Sequence, residues 1–256
     1  MQKIGVLTRQ RKSYILEVLA RDGQVVAKTL SQTLGLSEDT IRRDLRELAA
    51  EGLLQRVHGG ALPASPAVVD FAGRQEIASE GKVAIGRAAA NMVEDGQVVI
   101  LDGGTTAVQV ARHLARNLRA TVVTHSPTIA VELVEHPTVE VVVIGGRLFK
   151  HSVVAVGAAA IEAISRVRAD VYFMGVTGVH PREGLSTGDL EEAHIKRALS
   201  ERAAETLVLA SREKLGTASP YIIAPLSEIS GLIVEREVAE EVTEPYRRLG
   251  LSVIRT

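Results

Sequence analysis

A chain of 256 residues, 46% hydrophobic and 24% charged, has room for two globular domains with ordinary cores. The absence of cysteine excludes disulfides, thiolate metal sites and a cysteine nucleophile, and aromatics at 3% leave little for base stacking. The net charge of −1 hides an asymmetry: residues 1–61 carry 10 Lys and Arg against 7 Asp and Glu, leaving −4 on the remainder. There is no bilayer-length apolar run, and MQKIGVLTRQRK lacks a signal-peptide core, so a soluble, cytoplasmic protein with no membrane partner is expected.

The first predicted helix runs from Thr8 to Arg21, with Ile15, Val18 and Leu19 as its apolar stripe and Asp22-Gly23 as its stop. A short helix over Val26–Leu34 follows. Gly35 then supplies the turn, and Ser37 stands as N-cap of a second helix. In that helix Ile41, Leu45 and Leu48 face a core, while Glu38, Asp39, Thr40, Arg42, Arg43 and Arg46 face outward. A helix lying in a major groove offers its N-terminal residues to base edges, and arginine can take guanine O6 and N7 bidentately. Glu51-Gly52 ends the helix, and the strand Leu53–Val57 runs into Gly59-Gly60, a wing carrying Arg56 and His58. A solvated charged face would explain the arginines alone; it does not explain cap, turn, paired arginine and basic wing in one order.

Leu62-Pro63-Ala64-Ser65-Pro66 reads as the start of a proline-stiffened linker over 62–74. A helix over about Gln75–Val93 opens the second domain, 75–256, with Ile77, Val83 and Ile85 as apolar members. Short β-branched runs then alternate with helical segments: Val98–Leu101, Thr121–Thr124, Val139–Ile144, Asp170–Met174, Thr206–Ala210 and Leu232–Val234. Runs apolar on both faces predict an open, mostly parallel α/β sheet, with ligands beyond the carboxyl ends of its strands.

Five loops could carry chemistry there. Asp102-Gly103-Gly104-Thr105-Thr106 follows a strand and opens a helix, so its amides and the helix dipole suit an oxyanion; Thr105 and Thr106 could donate hydroxyls or simply cap. It has neither the lysine of a Walker loop nor dinucleotide spacing. Thr124-His125-Ser126 ends the next strand, and His125 is either a donor to a ligand or structural. Gly145-Gly146-Arg147 comes next, with Lys150, His151 and Ser152 behind it; Arg147 and Lys150 could attract phosphate or be solvated loop charges. Gly175-Val176-Thr177-Gly178 suggests close approach to a ligand, and the helix Leu190–Arg202 carries Glu192 and Lys196 at the spacing of an ordinary ion pair. Lys214, after the strand Thr206–Ala210, could point back into the crevice. The histidines lack ligand spacing, so no metal and no cofactor are expected.

Residues 11–61 resemble the DNA-binding domain of the DeoR family of bacterial regulators, through S-x-x-T-I-R-R-D-L at Ser37–Leu45 and R-x-H-G-G-A at Arg56–Ala61. The resemblance implies that Ser37, Thr40, Arg42 and Arg43 face DNA, with Arg56 and His58 touching backbone or minor groove. It extends over about Arg9 to Leu226. D-x-G-T-T matches Asp102–Thr106, T-N-S matches Thr124–Ser126 with His125 for the usual asparagine, and G-G matches Gly145-Gly146. G-L-[ST]-T and E-x-x-x-K-R match Gly184–Thr187 and Glu192–Arg197. The implied sensor fold is similar to ribose-5-phosphate isomerase, and by the resemblance it binds a phosphorylated sugar or a related intermediate that releases the repressor from operator DNA. The effector set then comprises Asp102, Gly103, Gly104, Thr105, Thr106, Thr124, His125, Ser126, Gly145, Arg147, Ser152, Gly175, Thr177, Lys196 and Lys214.

Related isomerases carry a G-A-D-E type loop where this chain has Gly175-Val176-Thr177-Gly178, and threonine is no general base near neutrality. The expected function is therefore a homo-oligomeric, non-enzymatic repressor of a carbohydrate operon. The rivals are a sugar-phosphate isomerase with an accessory DNA-binding domain and a regulator whose α/β half binds a protein.

Overall fold

The computed structural model describes residues 7–256; the first six residues of the expected DNA-binding domain lie outside the described residues. Helix α1 (Thr8–Asp22) ends at Gly23, whose φ of 68° lets its amide turn back to the Leu19 carbonyl. Strand β1 (Val25–Val26), α2 (Ala27–Leu34), α3 (Glu38–Ala50), β2 (Gln55–Val57) and β3 (Gly60–Leu62) complete a winged helix-turn-helix. The three strands form one antiparallel sheet in the order β1-β3-β2. Ile15, Leu19, Leu30, Ile41, Leu45 and Leu48 make its core. Under that core, Arg11 of α1 clamps the buried carboxylate of Asp44 in α3 with two nitrogens, the Nη2–Oδ1 contact being 2.8 Å.

After a short 3-10 helix at Pro66–Val68, the single helix expected over 75–93 is in fact two: α4 (Phe71–Glu76) and α5 (Ser79–Ala90). Ala78 breaks them apart in the left-handed region, with φ at 47°. The Nζ of Lys82 caps the freed carbonyl of Arg74 across the break.

The second domain continues as β4 (Val98–Leu101), α6 (Thr105–His113), β5 (Thr121–Thr124), α7 (Pro127–Leu133) and β6 (Glu140–Val143). A hairpin of β7 (Arg147–Phe149) and β8 (Val154–Val156) leads to α8 (Ala158–Ile164) and β9 (Ala169–Gly175). Then come β10 (Gly178–His180), β11 (Gly184–Thr187), α9 (Leu190–Ser200), β12 (Ala203–Leu209) and β13 (Tyr221–Ala224). The chain closes with β14 (Gly231–Val234), α10 (Glu240–Arg247) and β15 (Ser252–Arg255). Seven strands form a parallel sheet in the order β15-β14-β12-β9-β4-β5-β6, and β10, β11 and β13 form a small antiparallel sheet beside it.

Strand alternation explains the two cores. Ile100, Tyr172, Met174, Val208 and Leu232 point to one face, covered by α8, α9 and Tyr246 of α10. Val99, Leu101, Phe173, Leu207 and Ile233 point to the other, covered by α5, α6 and α7. Strand order reverses between β4 and β9, so the loops after these two strands diverge and leave a crevice.

The Arg11–Asp44 pair generates a stability prediction. Arg11→Met leaves the Asp44 charge buried without its partner and is expected to destabilise the winged domain by about 3–5 kcal/mol. Adding Asp44→Leu removes the stranded charge and should recover most of that loss. Denaturant titration followed on α1–α3 measures both; a single variant as stable as wild type would show the pair to be dispensable.

Candidate functional site

The outward face of α3 is built by its own amphipathicity. Ile41, Asp44, Leu45 and Leu48 are buried, which leaves Arg42, Arg43 and Arg46 exposed. The Ser37 hydroxyl accepts from the Thr40 amide at 3.2 Å and meets the Thr40 hydroxyl at 2.9 Å, so Ser37 sets where the helix starts. Arg42 lies against Glu38 at 3.0 Å, an exposed pair weak enough to be exchanged for another acceptor. Arg56 and His58 are exposed on the wing. A basic helix face and a basic wing on one small domain form a surface complementary to a phosphate-lined groove.

The second site lies at the reversal point. An open cleft sits over the ends of β4 and β9. Behind its lining lies Asp102, fully buried, whose carboxylate accepts four hydrogen bonds. The amides of Gly103 and Gly175 donate at 2.8 Å each, His125 Nε2 at 2.8 Å, and Lys196 Nζ at 2.6 Å. His125 Nδ1 faces the Ala155 carbonyl at 3.0 Å, so both ring nitrogens meet acceptors and both are placed to donate. Burial alone would push the Asp102 carboxyl up. The ammonium of Lys196 and the ring of His125 outweigh it and hold the carboxyl well below the usual carboxylate range.

One wall is the start of α6. Gly104 adopts φ 125°, which lets the chain turn from strand into helix and leaves the first-turn amides of Thr105, Thr106 and Ala107 beside the cleft. Gly103 also has no room for a side chain: a Cβ there would meet Val154 Cγ1 at 2.1 Å.

Around these amides stand Arg74, Lys82, Lys196 and Lys214, with Glu192 the acidic side chain on the lining. Among the described residues only Lys196 of the four cations has a carboxylate within 4.0 Å. Burial pushes Lys214 down to about 8; Glu213 opposes the shift, and Lys82, Arg74 and Lys196 add to it. Lys82 and Arg74 are lowered as well, burial again leading. Crowded, partly desolvated cations beside the first-turn amides of a helix are an arrangement suited to an anion.

Of the residues singled out in the sequence, Gly103, Gly104, Thr105, Thr106, Gly175, Thr177, Lys196 and Lys214 line this cleft. Asp102, Thr124, His125 and Ser126 are buried behind it. The Ser126 hydroxyl lies 2.7 Å from that of Thr128 and 3.2 Å from the Val153 carbonyl, which fastens the β7–β8 turn. Ser152 is buried in that turn, while Gly145 and Arg147 are exposed and lie outside the cleft lining. Glu192 and Lys196 are not simply an ordinary helix pair, because Lys196 reaches across to Asp102.

Sequence reasoning missed Arg74 and Lys82. Both precede the sheet in the chain, where a search of strand-end loops does not look. The linker's lack of periodicity offered no other signal.

Comparison with known proteins agrees with both halves. Residues 11–66 match the model of the DeoR-like helix-turn-helix domain, and residues 77–236 match that of the DeoR C terminal sensor domain. The chain is 36% identical over 252 residues to the HTH-type transcriptional regulator GlpR of Haloferax volcanii, covering 97% of this chain and 98% of that protein. It is 32% identical over 249 residues to the HTH-type transcriptional repressor GlcR of Bacillus subtilis, covering 96% of each. It is also 29% identical over 247 residues to the glycerol-3-phosphate regulon repressor of Escherichia coli, covering 94% of this chain and 98% of that one. The chain belongs to the DeoR family of DNA-binding transcriptional regulators, with the family's helix-turn-helix in its N-terminal half and its sensor domain in the C-terminal half.

Proposed function

We propose that the cleft over β4 and β9 is the effector site, and that it takes a small phosphorylated sugar or polyol by its phosphate. The convergence of Arg74, Lys82, Lys196 and Lys214 on the first turn of α6 carries this reading. In it the phosphate lies on the amides and hydroxyls of Thr105 and Thr106, with the cations around it. Glu192 and Thr177 offer acceptors to hydroxyls. Asp102 and His125 act from below, keeping Lys196 and the Gly103 and Gly175 amides in place.

The division into a DNA-binding half over 1–61, a linker over 62–74 and a sensor over 75–256 frames the rest. Ser37 and Thr40 set the start of α3, Arg42 and Arg43 read bases, and Arg56 and His58 hold the backbone or minor groove. Operators for such modules are two-fold symmetric, so the repressor works as a homo-oligomer. Val142 and Val143, exposed on the edge strand β6, support such a contact. No helix among the described residues is long and apolar enough to cross a membrane, and we place the protein in the cytoplasm with its DNA.

Binding without turnover is the favoured chemistry, because Asp102 is buried and committed to four donors and position 177 is a threonine. Glu192 on the cleft lining is the observation that favours the isomerase alternative. An isomerase assay on pentose phosphates is expected to show no turnover. Turnover abolished by Glu192→Gln would establish the alternative instead.

Three outcomes test the main reading. In thermal denaturation against phosphorylated sugars, their parent sugars and inorganic phosphate, one sugar phosphate at a hundred times its Kd should add about 2.7 kcal/mol. A melting curve unmoved by every compound would sink the phosphate cradle. Arg42→Ala and Arg43→Ala should each cost about 1–3 kcal/mol in operator binding, and unchanged affinity in both would refute the recognition-helix assignment.

The third outcome concerns pH. Lys214 titrates near 8 in the folded chain, below the ordinary lysine value, so folding of the empty protein gains stability as pH rises from 8. Effector affinity should do the opposite, weakening above pH 8 by up to about tenfold per unit as the ammonium is lost. Lys214→Met should bind weakly with a flat profile there, and calorimetric titration across that range compares the two.

A further inference from the structure

The segment that joins the two halves is stitched to the sensor from its first residue. Strand β3 of the wing ends at Leu62, and the carbonyl of Pro63 already accepts from the amide of Ala218 at 3.3 Å. Ala64 continues as a parallel bridge to Ala218. The Ser65 hydroxyl, buried, donates to the carbonyl of Thr177 and accepts from the amide of Ala67 at 3.1 Å. The Phe71 amide donates to the His151 carbonyl at 2.8 Å.

Two of these anchors belong to the cleft itself. Thr177 lines it. Ala218 ends the turn that carries Lys214, a turn closed by the Thr217 hydroxyl on the Lys214 carbonyl at 2.9 Å. The Thr177 hydroxyl also donates to Ser219 at 2.7 Å, so the two anchoring loops hold each other. The segment contributes lining of its own as well: Ala67, Arg74 and Ile77 face the cleft.

Arg74 is the informative member. It is half-buried on α4, it has no carboxylate within 4.0 Å among the described residues, and Glu192 is its leading favourable charge partner. It also borders a second cavity, shared with Thr177 and Glu192 and lined by Val68, Phe149 and His151. A guanidinium in that setting is poised for an anion that comes from outside the chain.

We propose that residues 63–77 form a wall of the effector site rather than a passive connector, and that Arg74 couples a bound phosphate to the docking of this segment. The inference rests on the effector site proposed above and adds its regulation. A ligand shifts an equilibrium only through contacts that differ between the two states. Contacts to Ala67 and Arg74 exist only while the segment is docked, so phosphate favours docking. One residue past β3, the docked path fixes where the wing leaves the sensor, and any DNA-bound arrangement that needs another exit is disfavoured. By reciprocity, operator DNA would weaken the effector by the same factor, typically about 5–150-fold.

Hydrogen exchange on the full chain, with inorganic phosphate as the probe, tests this. In the wild type, phosphate should slow exchange at the amides of Thr105–Ala107 and, in parallel, at Ala67, Phe71 and Gly73. In Arg74→Met the slowing at Thr105–Ala107 should need about tenfold more phosphate, while that at Ala67–Gly73 disappears. Arg74→Lys, which keeps the charge, should restore part of it, a rescue that a purely structural role for the side chain would not give. Slowing at Thr105–Ala107 alone in the wild type would overturn the coupling and leave the effector site standing. Equal linker slowing in Arg74→Met would overturn the role of Arg74, and no slowing anywhere would remove both the site and the inference.

Discussion

The buried carboxylate of Asp102 is the constraint on which the sensor half depends. It sits where β4 ends and draws its four donors from separate places: its own loop, the end of β9, the end of β5 and the middle of α9. A charge taken out of water is tolerated only when opposite charge and hydrogen bonds surround it. That requirement fixes the height of α9 against the sheet and the path of the chain from β4 into α6. The cleft has its shape because this interaction leaves the strand ends little freedom.

The architecture was legible where physics is local. Runs apolar on both faces announce strands of a covered parallel sheet, and Val98–Leu101 and Thr121–Thr124 are strands over those same residues. The strand-end rule then gathers Gly103, Thr105, Gly175 and Lys214 around one opening without any knowledge of distances. A Ser-capped helix with arginines opposite its leucines is likewise readable, because cap and stripe lie within a few residues of each other.

What stayed hidden is what only tertiary contact decides. Ala78 carries no signal for a left-handed residue; its conformation follows from the arrangement in which Lys82 reaches back to the Arg74 carbonyl. Arg147 reads as a cleft cation by position, yet pairing of β7 with β8 takes it elsewhere. Lys196 stands four residues from Glu192, and the helix spacing suggests a partner that burial overrules in favour of Asp102. In each case a sequence rule about neighbours met a stronger demand from a residue far away in the chain.

The short distance between the end of β3 and the first contact at Ala218 also bears on how such repressors are recombined. A chimaera that exchanges the N-terminal domain at a cut between Leu62 and Pro63 would keep every one of these contacts. A fusion point placed after α4, at the apparent end of the proline-rich stretch, would import a foreign wall into the host's pocket. Reading heads are modular in this architecture, but the connector is inherited with the sensor.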